Sequence, residues 1–265
     1  MQISSAPPRA SLAGGSLLDA LVAPGALRPV FQPIVDVSYG TPRLHALEAL
    51  TRGPKGTALE SADALFDYVR RKGHEQLVDR VCIDNALEAA AAFPATTRLT
   101  LNVHLATLVR SSGFVGALFA SLDRHGIAPT RITLEIVEHA ATCAPAALAQ
   151  ALDRLRSAGI QIALDDIGSG AANFRMLVDL RPDYLKIDRY FVDGIHGDPY
   201  RRAVVETVLE LGNRIGARVV VEGVSVAAQL GLLRSLSVKL AQGHLFACAT
   251  RASELRDHAL LRNAA

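Results

Sequence analysis

The chain has 265 residues, of which 50% are hydrophobic and 20% are charged, a composition that excludes a disordered chain and allows one large domain or two small ones. Its 28 lysines and arginines are balanced by 26 aspartates and glutamates, so bulk charge gives no reason to expect binding to a nucleic acid polymer. Three widely spaced cysteines argue against a disulfide framework, and no apolar run approaches the roughly 18 residues of a membrane span. We therefore expect a cytoplasmic protein that does not enter a membrane.

Short apolar runs rich in leucine and β-branched residues alternate with helical patterns after residue 28. Such runs are typical of strands that are buried on both faces, as in parallel sheets. The predicted strands are Val30–Val35, Arg43–Ala49, Arg98–Val103, Arg131–Val137, Ile160–Asp165, Tyr184–Ile187, Ala217–Glu222 and Val238–Leu240. Residues 1–26 predict only a tail or a short docking helix, because they lack the basic start of a signal peptide.

Helix signals fill the intervals between several of these strands. The predicted helices are those at about Ser61–Arg71 and Glu75–Ala92 and those beginning at Ser112, Pro145 and Asp198. Gly73 separates the first two helices, and Gly216 stands where the last one is expected to end in a left-handed residue.

The alternation of eight strands with helices favours either a closed α/β barrel or a doubly wound sheet. No glycine-rich dinucleotide turn and no P-loop follows a predicted strand, which disfavours the nucleotide-binding sheet. We predict a TIM-like (β/α)8 barrel over residues 27–255, followed by a tail at residues 256–265. The turn around Ser38–Gly40 is too short for a parallel crossover, so the first strand should run antiparallel to the second.

Polar side chains stand at or near the carboxyl ends of the predicted strands. They are Glu48, Asn102, Glu135, Asp165, Asp166, Lys186, Asp188, Glu222 and Gln242. The carboxyl ends of parallel strands converge on one rim of a barrel, where barrel enzymes have their active sites. A single acid at a strand end is more often a helix cap or a solvated loop residue. The repetition on consecutive strands is what predicts a site.

Several carboxylates on one rim raise one another's pKa unless they bind cations. Their oxygens, together with the Asn102 amide, suit Mg²⁺ or Mn²⁺ better than zinc. Two such ions side by side would form a clamp for the hydrolysis of a phosphodiester. The sequence therefore predicts a site for two Mg²⁺ or Mn²⁺ ions.

Eight short motifs follow one another at a spacing compatible with a barrel. They are FQPIVD at 31–36, EAL at 48–50 with Arg52, LNV at 101–103, EIVE at 135–138, LDDIGSG at 164–170, LKID at 185–188, VEGV at 221–224 and QGHLF at 242–246. Together they resemble the EAL-domain family of cyclic-di-GMP phosphodiesterases over roughly residues 27–250. The resemblance implies a barrel with an antiparallel first strand and metal-dependent hydrolysis of cyclic-di-GMP to linear pGpG. It also makes a homodimer plausible.

The resemblance implies a role for each matching position. The implied metal ligands are Glu48, Asn102, Glu135, Asp165 and, for the second ion, Asp166. The implied catalytic residues are Glu48, Lys186 and Glu222. The implied substrate contacts are Gln32, Leu50, Arg52, Asp188 and Gln242, with Arg52 on a phosphate. Glu138 matches an acid that anchors the loop after the fifth strand.

Three positions depart from the family pattern. Ala171 stands where an aromatic residue is usual in the loop after the fifth strand, and Ser225 stands where a second acid usually follows Glu222. The usual Arg-Pro after the last strand is replaced around Ala249–Arg251. These changes bear on activity and its regulation, because the loop helps to hold the second metal in relatives.

Three functions stay open on the sequence alone. The complete ligand set favours an active phosphodiesterase. The departures favour a catalytically inactive cyclic-di-GMP receptor or a protein-interaction module with the same fold. An unrelated metal-dependent barrel hydrolase, with no affinity for cyclic-di-GMP, is the third.

Overall fold

The computed structural model describes residues 17–110, 113–137, 145–168 and 174–262. Its strands are β1 (Arg28–Asp36), β2 (Arg43–Arg52), β3 (Leu99–His104), β4 (Ile132–Val137), β5 (Gln161–Ile167), β6 (Tyr184–Ile187), β7 (Arg218–Val221) and β8 (Leu240–Gln242). Its helices are α1 (Leu17–Val22), α2 (Ala62–Lys72), α3 (Glu75–Ala89), α4 (Leu105–Arg110), α5 (Phe114–Arg124), α6 (Pro145–Ser157), α7 (Phe174–Leu180), α8 (Pro199–Ile215), α9 (Ala227–Ser235), α10 (Ala252–Leu255) and α11 (Ala259–Arg262).

The eight strands close into a barrel in chain order, β1 to β8. Strands β2 to β8 pair in parallel, whereas β1 is antiparallel to both β2 and β8. The reversal of β1 follows from the short turn that joins Asp36 to Arg43, since a parallel crossover needs a dozen or more residues. The predicted TIM-like barrel with an antiparallel first strand is confirmed.

Each predicted strand overlaps the observed one, and the helix-end signals act as expected. The Asp198 carboxylate accepts the backbone N–H groups of Tyr200 and Arg201 at the start of α8. Gly216 ends α8 with a φ of 75°, a left-handed conformation that glycine adopts without strain. The start predicted at Ser112 lies outside the described residues, and α5 is described from Phe114.

The barrel is surrounded by a large apolar core between the strands and the outer helices. On one side α1 packs through the fully buried Leu21 against Leu65 and Val69 of α2 and Val78 of α3. Among the described residues, no helix has both the length and the apolar character that crossing a membrane requires.

Inside the barrel, an apolar layer contributed by six of the strands lies between the two ends. We call it the apolar floor; it consists of Ile34, Ala46, Ala163, Tyr184, Val220 and Leu240. Side chains alternate across a strand, so residues two positions further along each parallel strand also face the interior. These next positions carry polar side chains, which are described below with the candidate site.

Below the apolar floor, polar groups gather around the hydroxyl of Tyr184. The His45 Nε2 lies 3.0 Å from this hydroxyl, and the Arg218 guanidinium stacks 4.2 Å from the centre of the Tyr184 ring. Arg98 and Arg218 both donate to Gln161. Burial, reinforced by the positive charges of Arg218 and Arg98, lowers the pKa of His45 from 6.5 to about 4.

This environment makes His45 a source of acid sensitivity. In the unfolded chain His45 becomes protonated as the pH falls below 6.5. In the folded protein it stays neutral until the pH reaches about 4. Stability should therefore be complete above pH 6.5 and fall by about 3 kcal/mol from this residue on the way to pH 4. Urea unfolding of the wild type and of His45→Gln at several pH values between 4 and 8 measures the difference.

His45→Gln keeps a hydrogen-bonding group near the Tyr184 hydroxyl but cannot titrate. Its stability relative to the wild type should therefore rise steadily as the pH falls from 6.5 to 4. Parallel pH profiles for the two proteins would contradict this assignment of His45.

Candidate active site

Each strand, or for β7 the residue that directly follows it, contributes one polar side chain to a ring directly above the apolar floor. We call these eight residues the polar ring: Gln32, Glu48, Asn102, Glu135, Asp165, Lys186, Glu222 and Gln242. On the parallel strands each follows an interior residue by two positions, and Gln32 precedes Ile34 on the reversed β1. The structure therefore brings together the acids that the sequence scatters over most of the chain.

Lys186 is the centre of the polar ring. Its Nζ lies 2.6 Å from Glu135 Oε1, 2.6 Å from Glu222 Oε1, 3.2 Å from Glu48 Oε2 and 3.7 Å from Asp165 Oδ1. The side chains of Lys186 and Glu135 are almost completely buried, with 3% and 1% of their surfaces exposed. One ammonium thus holds four carboxylates from four different strands in a space that excludes most water.

Glu48 is oriented by amides on both sides. The Asn102 Nδ2 donates to Glu48 Oε1 at 3.1 Å, and the Gln242 Nε2 donates to Glu48 Oε2 at 2.7 Å. Gln242 also donates to Gln32, which in turn donates to the Ala247 carbonyl. Since Glu48 is only 4% exposed, this chain of amides fixes its carboxylate before any ligand arrives.

The electrostatic environment holds protons on several of the acids. Burial and the charge of Glu48 raise the pKa of Glu135 well above its ordinary value. Burial raises the pKa of Glu222 from 4.5 to about 8, and burial together with Asp165 raises that of Asp166 from 3.8 to about 7. Burial alone would lower the Lys186 pKa, yet the surrounding carboxylates raise it well above its ordinary value. The single ammonium of Lys186 therefore does not neutralise the carboxylates around it.

The donor set fits divalent cations. Asp165, Asp166 and Glu222 each offer an oxygen, and these oxygens lie within 4.8 Å of one another. Glu135 Oε2 and Asp165 Oδ1 are buried and have no hydrogen-bond donor among the described residues. Buried carboxylate oxygens without a donor are costly, and hard cations such as Mg²⁺ and Mn²⁺ bind oxygen ligands of this kind.

A cavity of about 710 Å³ opens above the polar ring. Of the predicted substrate contacts, Gln32, Leu50, Asp188 and Gln242 line it. Arg52 does not belong to its wall, and its guanidinium instead donates to the Thr51 carbonyl at 3.3 Å. Glu138, the predicted loop anchor, lies outside the described residues.

Asp166 has a backbone conformation that side chains rarely adopt. Its φ of 54° lies in the left-handed region, directly after Asp165 in β5. Strained residues of this kind are concentrated at functional sites, and here the strain accompanies two consecutive carboxylates that contribute to one cluster of oxygens.

A neutral amide supports the loop that follows Glu222. The buried Gln229 Oε1 accepts the backbone N–H of Ser225 at 2.8 Å and the Ser225 hydroxyl at 3.2 Å. Its Nε2 donates to the Val192 carbonyl at 3.1 Å, beyond the end of β6. The loop after β7 is therefore tied to the segment after β6, although Ser225 replaces the expected second acid.

The cavity also has a wall that the predicted site residues do not include. Phe66 of α2, Asp79 of α3 and His104 of β3 all line it. His104 directly follows the LNV motif and comes two positions after Asn102, so both the motif and the period of the strand place it near the site.

Comparison with known proteins identifies the family. The model of the EAL domain matches residues 15–249. The chain belongs to the EAL-domain family. The EAL chain is 30% identical over 223 residues to the cyclic di-GMP phosphodiesterase NbdA of Pseudomonas aeruginosa, an alignment that covers 82% of the chain and 28% of NbdA. It spans between 28% and 44% of the length of the first curated relatives that it matches.

Solved structures of EAL proteins have the same barrel. The PaMucR phosphodiesterase in its c-di-GMP complex superposes with a TM-score of 0.78 at 26% identity, covering 90% of the EAL chain and 97% of PaMucR. The manganese/cy-diGMP complex of BlrP1 from Klebsiella pneumoniae superposes with a TM-score of 0.75 at 27% identity, covering 86% and 57% of the two chains.

The raised carboxyl pKa values predict pH-dependent metal binding. In the metal-free protein Glu222 and Asp166 hold protons up to about pH 8 and pH 7, and a cation must displace them. Mn²⁺ affinity should therefore rise about tenfold per pH unit for each proton released between pH 6 and 8, and level off above pH 8. Calorimetric titrations with Mn²⁺ in buffers of different ionisation enthalpy measure both the affinity and the protons released.

The stability of the metal-free protein should change with pH in the opposite direction to the Mn²⁺ affinity. Groups with raised folded-state pKa values stabilise the fold at low pH, so this contribution should be lost as the pH rises from 4.5 to 8.

A Mn²⁺ affinity that is constant from pH 6 to 8, with no protons released, would show that these carboxyls are not the ligands.

Proposed function

We propose that this EAL protein is a divalent-cation-dependent phosphodiesterase that hydrolyses cyclic-di-GMP to linear pGpG. The observation that carries the proposal is the polar ring, in which Lys186 gathers four carboxylates beneath an open cavity of about 710 Å³. A cavity of this size is in the range of small-molecule sites. The relatives named as cyclic di-GMP phosphodiesterases support the choice of substrate.

The ion-binding residues would be Glu48, Asn102, Glu135 and Asp165, with Asp166 on a second ion. Support comes from the buried oxygens of Glu135 and Asp165 that lack donors and from the oxygen cluster formed by Asp165, Asp166 and Glu222. Mg²⁺ or Mn²⁺ bound there would supply Lewis-acid polarisation of the scissile phosphate and would lower the pKa of water near it.

The protein's own side chains would position charge and protons around the reacting phosphate. The Lys186 ammonium, between Glu135 and Glu222, would offset the negative charge that develops in the transition state. Glu222 lies 2.6 Å from the Lys186 Nζ, and its carboxylate would keep this ammonium beside the reacting phosphate. Asn102 and Gln242 would keep Glu48 in one orientation throughout.

The substrate would occupy the cavity above the polar ring. We propose contacts with Gln32, Leu50, Asp188 and Gln242, which line this space. The role of Arg52 on a phosphate stays a proposal that requires its guanidinium to leave the Thr51 carbonyl. The role of Glu138 as a loop anchor, the formation of a homodimer and a cytoplasmic location also stay predictions.

The function is tested by combining turnover with binding. Purified protein incubated with cyclic-di-GMP and Mn²⁺ should release linear pGpG, and Glu48→Gln should lower kcat by at least about a hundredfold. The substitution keeps the shape of the side chain and removes the charge that the ion and Lys186 share. Chromatography of the nucleotide products measures the rate.

Glu206→Gln is the matched control, because within the described part of the chain Glu206 pairs with Arg202 on the exposed face of α8. It should leave the rate unchanged. Binding of cyclic-di-GMP without a linear product under any divalent ion would instead establish a receptor. Absence of both binding and turnover would exclude cyclic-di-GMP as the ligand.

A further inference from the structure

A buried aspartate holds the imidazole of His104 in one orientation. The His104 Nδ1 lies 2.8 Å from Asp79 Oδ1, and Asp79 is only 2% exposed. Asp79 Oδ2 also accepts the backbone N–H of His104 at 3.0 Å and the Thr107 hydroxyl at 2.5 Å. Because each of these contacts brings a donor to an acceptor-only carboxylate, Nδ1 carries the hydrogen and Nε2 is left as an acceptor in the neutral ring.

The hydrogen bonds at the start of α4 do not depend on this imidazole. Asp79 supports the start of α4 through the backbone N–H of residue 104 and the hydroxyl of Thr107, contacts that any side chain at position 104 would leave in place. The ring contributes only the Nδ1 contact to that arrangement. Its other edge has no partner among the described residues, although His104 is only 7% exposed.

His104 belongs to the wall of the substrate cavity. His104 lines the same cavity as Glu48 and Asn102, and it follows Asn102 by two residues on β3. Phe66 of α2 also lines it, with its ring 5.5 Å from the imidazole and tilted by 55°. An oriented acceptor beside an aromatic ring is the chemistry that recognises the edge and face of a nucleobase.

We propose that His104 is a specificity-determining residue that reads one guanine of the cyclic dinucleotide. Nε2 accepts the N1–H or the N2–H of the base, while Phe66 provides an aromatic surface for its face. At the positions of the guanine N1–H and N2–H, adenine has an unprotonated N1 and a C2–H. Its Watson–Crick donor is the N6 amino group, which stands where guanine has O6, so an adenine in the guanine orientation presents no donor to Nε2. The proposal rests on the proposed function, since it requires a guanine-containing ligand in this cavity.

Two substitutions distinguish the contribution of the Nδ1 donor from that of the Nε2 acceptor. The amide of His104→Asn can replace the Nδ1–H that donates to Asp79, but it leaves no acceptor at the position of Nε2. The longer His104→Gln can place an amide oxygen near Nε2. His125→Asn is the matched control, since His125 contacts Asp84 near the end of α5, away from the cavity lining.

Affinities for cyclic-di-GMP and cyclic-di-AMP are measured by calorimetry in Ca²⁺, together with the melting temperature of each variant. We expect His104→Asn to weaken cyclic-di-GMP binding about tenfold or more, and to leave cyclic-di-AMP binding and the melting temperature unchanged. His104→Gln should recover much of the discrimination, and His125→Asn should match the wild type.

A second readout uses the wild type alone. In ¹⁵N spectra of the imidazole, cyclic-di-GMP should shift the His104 Nε2 signal and cyclic-di-AMP should not. If His104→Asn retains full discrimination, or if the Nε2 signal does not respond to cyclic-di-GMP that is bound, the proposal is overturned while the proposed function stands. If the wild type binds neither dinucleotide, the proposed function fails and the role of His104 fails with it.

Discussion

The ion cluster around Lys186 is the interaction on which the site depends. Four carboxylates from β2, β4, β5 and the end of β7 meet one ammonium from β6, and none of these partners is near another in sequence. A buried ion cluster of this kind is weak evidence for stability, because desolvation offsets most of the Coulombic attraction. Its value is geometric, since the closed barrel fixes every acid on a rigid strand before an ion or substrate binds.

The layers inside the barrel explain why the cluster faces one side only. The apolar floor lies directly beneath the polar ring, and Tyr184 joins it to the polar groups around His45 at the other end. The carboxylates are therefore open to water from the cavity above them, which is the side a substrate would enter. The low-dielectric floor also accounts for the raised pKa values, since burial is the leading cause at Glu135 and Glu222.

Much of the fold and the polar ring could be predicted because the signals are local. Short apolar strands that end in polar residues specify both the barrel and the rim on which those residues lie. The helices α4, α7, α9, α10 and α11 were not predicted, since segments of four to nine residues have too few turns for a clear periodic pattern. The contact of Asp79 with His104 joins α3 to β3, and no local pattern reports a pairing of that kind. Arg52 shows the converse, because the resemblance assigns it a role that its contact with Thr51 does not display.

The replacement of the second acid by Ser225 alters charge more than architecture. Gln229 supplies the hydrogen bonds that hold the loop after β7, and it links this loop to Val192 beyond β6. Because Gln229 is neutral, the loop is held without adding another anion near Glu222. With one carboxylate fewer close to the polar ring, less repulsion opposes the ionisation of Glu222. Loss of this acid is therefore compatible with a complete ion-binding site, and the departure at Ser225 does not by itself favour an inactive protein.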